Sequence, residues 1–161
     1  MHECFAQGRD AERTFRNYLV ESGTAGRLGL GFDRWYDSQD NFFFGRPDIF
    51  SENLRMVWDV KPDSYYGWGS GAEQISRYTI TGEYSAGTAG PLFGNQGSIT
   101  LQGTMNRYEF RYGEGGLVIY RALDLTPGDR ALQSLQRALQ DQANRTLMGP
   151  FPPKRRQGDP G

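Results

Sequence analysis

Cys4 is the only cysteine and His2 the only histidine in the chain. A disulfide framework, a Cys/His zinc site and most Cys-His or Ser-His catalytic pairs each need more than that, so whole classes of hydrolase are excluded. Lysine is almost as scarce. Lys61 and Lys154 are the only two, and the other basic residues are arginines, so a lysine inside a motif stands out from its background. No apolar run approaches the roughly 20 residues needed to span a bilayer, and the N-terminal MHECFAQGRD is too polar for a signal peptide. A membrane partner is therefore not expected, and any export must use another route. The formal charge is −1, which argues against a non-specific nucleic-acid binder but leaves room for a local basic strip.

What the chain does have is the composition of one ordinary domain: 161 residues, 37 % hydrophobic and 14 % aromatic, with 22 glycines that imply many turns. We expect a domain over 1–147 and a flexible tail over 148–161, where MGPFPPKRRQGDPG lacks the apolar content to pack. DAERTFRNYLVES predicts a helix over 10–22 with Ala11, Phe15, Tyr18 and Leu19 as its apolar stripe and Gly23 at its stop. Residues 24–44 read as loop, with a strand at 28–32. RMVWDVKP, β-branched and aromatic between turn residues, reads as a buried strand. DSYYGWGSG then reads as a flexible connection, GAEQISRYTI as a short helix and residues 81–97 as a surface excursion. SITLQGT and NRYEFRYGEGGLVIYRAL read as strands, the latter a hairpin turning at Gly113-Glu114-Gly115-Gly116. DRALQSLQRALQDQANRTL is a helix with Leu132, Leu135, Leu139 and Ala143 on one face. The alternation of helices and strands implies a mixed α/β fold.

Hydrolysis of a phosphodiester with a hard metal ion requires converging carboxylates and a cation near the scissile phosphate. Side chains alternate along a strand, so Asp59 and Lys61 project to one side of 55–61 while Met56, Trp58 and Val60 project to the other. A charged pair on an otherwise apolar strand loses several kcal/mol of solvation per ion unless a metal or partners compensate. Asp48, in GRPDIF, lies just upstream. Gln74 and Tyr78, four apart on the expected helix, share a face, and Glu12 falls on the apolar stripe of the first helix with Glu21 half a turn away.

Pro47-Asp48, Asp59-Val60-Lys61 and Gln74-Ile75-Ser76-Arg77-Tyr78 together resemble the PD-(D/E)xK nuclease superfamily, and the QxxxY element resembles its RecB-type branch. VWDVKP followed by a Gly-rich stretch and QISRY also resembles the restriction-endonuclease-like toxin domains at the ends of bacterial polymorphic and secreted effectors. The matching segment runs from about Glu12 to Tyr78. A lone DxK is weak, and the ordered addition of PD and QxxxY makes the pattern more specific. The resemblance implies a restriction-endonuclease-like mixed β-sheet flanked by helices. It implies Mg²⁺ or Mn²⁺ held by Asp48, Asp59, the Val60 carbonyl and Glu12, with Lys61 acting on the water and the developing phosphorane charge. It implies that Gln74 and Tyr78 hold the phosphate backbone or a metal-bound water. The function that follows is a nuclease, with DNA expected over RNA, acting as an antibacterial toxin delivered into a target cell's cytoplasm and countered by a cognate immunity protein.

Other readings of the same residues remain open. Asp59 and Lys61 taken alone would far more often be a solvated pair on an edge strand, and Glu12 is also a favourable first-turn carboxylate. Tyr65, Tyr66 and Trp68 suit either base stacking or a satellite core. Arg46 and Arg77 suit either phosphate contact or plain surface charge. A non-catalytic binding module on the same fold is one alternative function. A different toxin enzyme such as an ADP-ribosyltransferase is another, although no Glu-x-Glu pair after a Ser/Thr strand supports it.

Overall fold

The computed structural model describes residues 2–33, 36–37, 44–80, 82–123 and 127–148. In chain order the elements are α1 (His2–Glu21), α2 (Thr24–Leu28), β1 (Leu30–Phe32), β2 (Tyr36–Asp37), β3 (Phe44–Gly45), β4 (Ile49–Ser51) and β5 (Met56–Pro62). They continue with α3 (Tyr65–Tyr78), β6 (Ser85–Ala86), α4 (Ala89–Phe93), β7 (Ile99–Gln102), β8 (Arg107–Tyr112), β9 (Leu117–Ala122) and α5 (Pro127–Met148). The chain divides into two compact units, one of Met1–Asp63 with Gly67–Asp124 and one of Ser64–Tyr66 with Leu125–Gly161. Residues 149–161, which include the expected tail except for Met148, lie outside the described residues.

The first unit is a mixed α/β structure. Its main sheet runs in the order β1-β4-β5-β9-β8-β7, with β6 paired to β5 off that path. β1, β4 and β5 form an antiparallel meander, β5 pairs in parallel with β9, and β9, β8 and β7 are again antiparallel. β5 is thus interior to the sheet, which answers why MVWDVKP carries so little polar character: Val57, Trp58, Asp59 and Val60 are all buried.

Strand alternation sorts the two faces. Phe110 and Tyr120 are cross-strand partners, and the Phe15 ring from α1 lies 4.8 Å from Phe110 and 5.6 Å from Phe93. The opposite face gathers Phe50, Val57, Leu117 and Ile119 with Ile75 and Tyr78 of α3. Each fully buried ring or aliphatic side chain contributes on the order of 1.5–3 kcal/mol.

Four expectations need correction. In the stretch 24–44, read as loop with a strand at 28–32, residues Thr24–Leu28 form α2 and β1 begins only at Leu30, after Gly29. α1 begins eight residues before the expected start at Asp10. The supposed flexible connection DSYYGWGSG is largely helix, because α3 starts at Tyr65. Its glycines disfavour a helix locally, but Gly71 is where the helix meets the sheet: a Cβ there would collide with the Leu117 side chain and come within 3.0 Å of Lys61 Cγ. The excursion at 81–97 is also structured, since α4 buries Leu92 and Phe93 and the bare Cα of Gly87 lies against the Trp58 indole.

α1 is fastened to the sheet by Asp10. Its carboxylate accepts hydrogen bonds from Thr104 N (3.0 Å), Met105 N (2.8 Å) and the Tyr108 hydroxyl (2.7 Å). Burial opposes that charge, yet the bonds from Tyr108, Met105 and Thr104 outweigh it and hold the Asp10 carboxyl below its ordinary pKa. Asp10→Ala orphans three donors, so a loss on the order of 3 kcal/mol is expected, read by urea denaturation; a change under about 0.5 kcal/mol would refute this anchoring role.

In the second unit, α5 continues to Met148 with Leu132, Leu135 and Leu139 exposed, and the Arg145 guanidinium lies 5.0 Å from the centre of the Tyr65 ring.

Candidate active site

Asp48 and Asp59 meet where the chain enters β4 beside the middle of β5. The antiparallel register puts Ile49 opposite Trp58, so the residue before β4 falls beside the residues after Trp58. Two hydrogen bonds lock this crossing: Asp48 N donates to Asp59 Oδ1 (3.2 Å) and Val60 N donates to Asp48 Oδ2 (2.7 Å). The PD and DxK elements, eleven residues apart between their aspartates, are therefore one local structure. The buried Pro47 sets the bend.

Asp59 is 1 % exposed, and its Oδ2 has no hydrogen-bond partner. The nearest cation is Lys61 Nζ at 3.7 Å, on a side chain 20 % exposed, too long for a hydrogen bond. A buried carboxylate oxygen aimed at no donor is costly unless a proton or cation meets it.

The acids of this region perturb one another. Burial, then the Asp48 charge, push Asp59 well above its ordinary pKa, against the opposing pull of Lys61. Burial raises Asp48 to about 6, although the Val60 N–H and Lys61 favour its ionised form. Glu12 of α1 is raised to about 8, first by burial and then by Asp48, while Lys61 and Arg16 oppose the rise. Negative charge is thus in excess over its local compensation.

Glu12, Asp48, Val60 and Asp33 line a common cavity of about 130 Å³ with Arg9, Arg13, Arg16, Phe32 and Ile49. Asp33 was not anticipated. Its backbone N–H donates to Pro47 O and Asp48 O, both at 3.1 Å, and its φ of 47° is a left-handed conformation that Asp tolerates. No local signal in GFDRW announces this long-range pairing.

Tyr78 belongs to the same neighbourhood: its hydroxyl donates to Arg46 O (3.3 Å), and burial with the charges of Asp59 and Asp48 holds the phenol above its ordinary pKa. Gln74 is half-buried one turn earlier on α3, and no hydrogen bond links it to the acids among the described residues. Arg46 faces Asp33 (3.3 Å) and Arg77 faces Glu73 (3.2 Å). Trp68 is packed against the core with its indole N–H on Asp63 (2.9 Å), while Tyr65 and Tyr66 are exposed.

The oxygen-only donor set suits a hard divalent cation, and the unpartnered Asp59 Oδ2 is the atom such an ion would satisfy. Among the described residues no group of three His, Cys, Asp or Glu side chains is placed to hold a metal ion together. Comparison with family models, curated proteins and solved structures returns no match for the chain.

Proposed function

We propose that the chain is a metal-dependent nuclease of the PD-(D/E)xK kind with a restriction-endonuclease-like fold, hydrolysing DNA as an antibacterial toxin domain. The observation that carries this reading is the buried, unpartnered Asp59 Oδ2 beside Asp48 and 3.7 Å from Lys61. A surface ion pair on an edge strand would be solvated, but Asp59 is buried on an interior strand. A scaffold without chemistry gains nothing from acids raised by their own burial and mutual repulsion.

Asp48, Asp59, the Val60 carbonyl and Glu12 would hold Mg²⁺ or Mn²⁺. When bound, such an ion neutralises phosphate charge and lowers the pKa of a water. Lys61 supplies positive charge as negative charge develops on the phosphorane. Tyr78 fixes the Arg46 carbonyl and so the turn that carries Pro47 and Asp48, while Gln74 is the α3 residue one turn earlier, available to the phosphate backbone. The toxin role, delivery into a target cell's cytoplasm and a cognate immunity protein rest on the sequence resemblance. No described helix is long and apolar enough to cross a membrane.

Digestion of plasmid DNA and of RNA by the purified chain, with Mg²⁺ and with EDTA, tests class, substrate and cofactor together. Cleavage of DNA that EDTA abolishes is expected, and an inert protein under all conditions would end the proposal. Within the same assay Glu12→Ala is expected to reduce cleavage about 10²-fold, as for a lost preorganised contact. Glu21→Ala, half a turn away on α1, is expected to cut normally; equal effects would show that the wrong carboxylate was chosen.

A further inference from the structure

The long helix α1 carries Arg9, Glu12, Arg13 and Arg16 at the spacings i, i+3, i+4 and i+7, which bring all four to one side of the helix. All four line the cavity that also contains Asp48. Arg46, Arg77, Arg111 and Arg121 each face an acid within 4 Å, at Asp33, Glu73, Asp63 and Glu109. Among the described residues Arg9, Arg13 and Arg16 have no such ion-pair partner within 4 Å; Glu12 shares their side of α1, with Arg16 favouring its charged form, and Arg13 also lines a second cavity with Asp10 and Glu21. Three guanidinium groups are thus left available beside acids that already repel one another. That is the reverse of an arrangement serving only to solvate a helix face, where alternating signs pair off.

We infer that Arg9, Arg13 and Arg16 form the track that binds the phosphodiester backbone of the nucleic-acid substrate and delivers it to the Asp48–Asp59 site. Seven residues of helix span roughly 10 Å, which corresponds to about three phosphates along one strand at 3.4 Å per nucleotide of duplex axis. The planar guanidinium fork matches phosphate oxygens two at a time. The track is the local basic strip of a chain whose net charge is −1, and it accounts for how an acidic protein meets a polyanion. The inference rests on the nuclease reading for its substrate, but its test does not depend on cleavage.

The test is fluorescence anisotropy of a short labelled DNA duplex, in EDTA so that no cleavage intervenes, titrated at several salt concentrations. Wild type, the Arg9→Gln/Arg13→Gln/Arg16→Gln triple variant, its Arg→Lys counterpart and Arg121→Gln are compared, each checked for folding by its melting curve. Every phosphate neutralised contributes about 0.9 to the slope of log affinity against log salt. The Gln triple is expected to bind more weakly with a slope smaller by roughly 2 to 3, the Lys triple to recover the slope, and Arg121→Gln to match wild type. A Gln triple with the wild-type slope would overturn the track, as would a wild type with no salt-dependent binding. A wild type that binds through these arginines yet never cuts with Mg²⁺ would support the track and overturn the nuclease instead. Should the Gln triple melt early, the three single variants are expected to lower the slope by about one each, and unchanged slopes there would equally overturn it.

Discussion

Lys61→Ala is expected to lower the rate of DNA cleavage by a factor of 10² to 10³, roughly 3 to 4 kcal/mol, while the protein remains folded. The ammonium is the one cation within 4 Å of the buried Asp59 Oδ2 among the described residues. If it stabilises the transition state, its loss removes a contact that no flanking arginine replaces, because the planar guanidinium and the compact ammonium need different geometries. The fold is expected to survive for a different reason. An uncompensated Asp59 takes a proton rather than remaining charged, and its pKa already lies well above the ordinary value. The lysine stem also packs near Gly71 of α3, so Lys61→Met, which keeps that volume, separates lost charge from lost packing. Cleavage and thermal melting measured side by side decide the matter. A Lys61→Met protein that cuts as fast as wild type would reduce Lys61 to an ion-pair partner worth no more than about 1 kcal/mol.

The part of the site that was legible in the sequence is the part set by local geometry. Alternation along β5 put Asp59 and Lys61 on one side of the strand, and the α3 period put Tyr78 one turn beyond Gln74. The approach of Asp48 to Asp59 required only that two neighbouring strands form a meander. What escaped was set by tertiary packing. Glycines at 67, 69 and 71 read as a flexible linker because helix propensity is a local quantity, whereas Gly71 exists to let α3 approach Leu117. The 81–97 stretch looked like an excursion because only Trp58, distant in sequence, explains Gly87. Asp33 enters the cavity through hydrogen bonds to Pro47 and Asp48, and a helix expected to start at Asp10 leaves Arg9 apart from Arg13 and Arg16.

Those unbalanced acids also predict how stability responds to pH and to a divalent ion. Glu12 and Asp48 are raised to about 8 and about 6 from ordinary values of 4.5 and 3.8. The folded state therefore holds their protons more tightly than the unfolded state does. Their contribution is fully present below the unfolded values and is lost as pH rises through the folded ones, so metal-free protein is expected to lose stability between about pH 4 and pH 8. At 1.36 kcal/mol per unit, Asp48 alone accounts for on the order of 3 kcal/mol; Glu12 is coupled to it, so the two do not simply add. Asp10 runs the other way, since its lowered pKa gives stability that is lost only on acidification. A divalent ion binds the ionised carboxylates and competes with their protons. The rise in melting temperature produced by Mg²⁺ is therefore expected to be negligible near pH 5 and to grow steadily toward pH 8. Asp59→Asn, which removes one of the repelling charges and keeps an oxygen for the Asp48 N–H, is expected to flatten the decline in EDTA and abolish most of the Mg²⁺ effect. A melting temperature in EDTA that stays level or rises across this interval would contradict the excess of buried negative charge. An Mg²⁺ shift of equal size at both ends would instead assign the ion to some other part of the molecule.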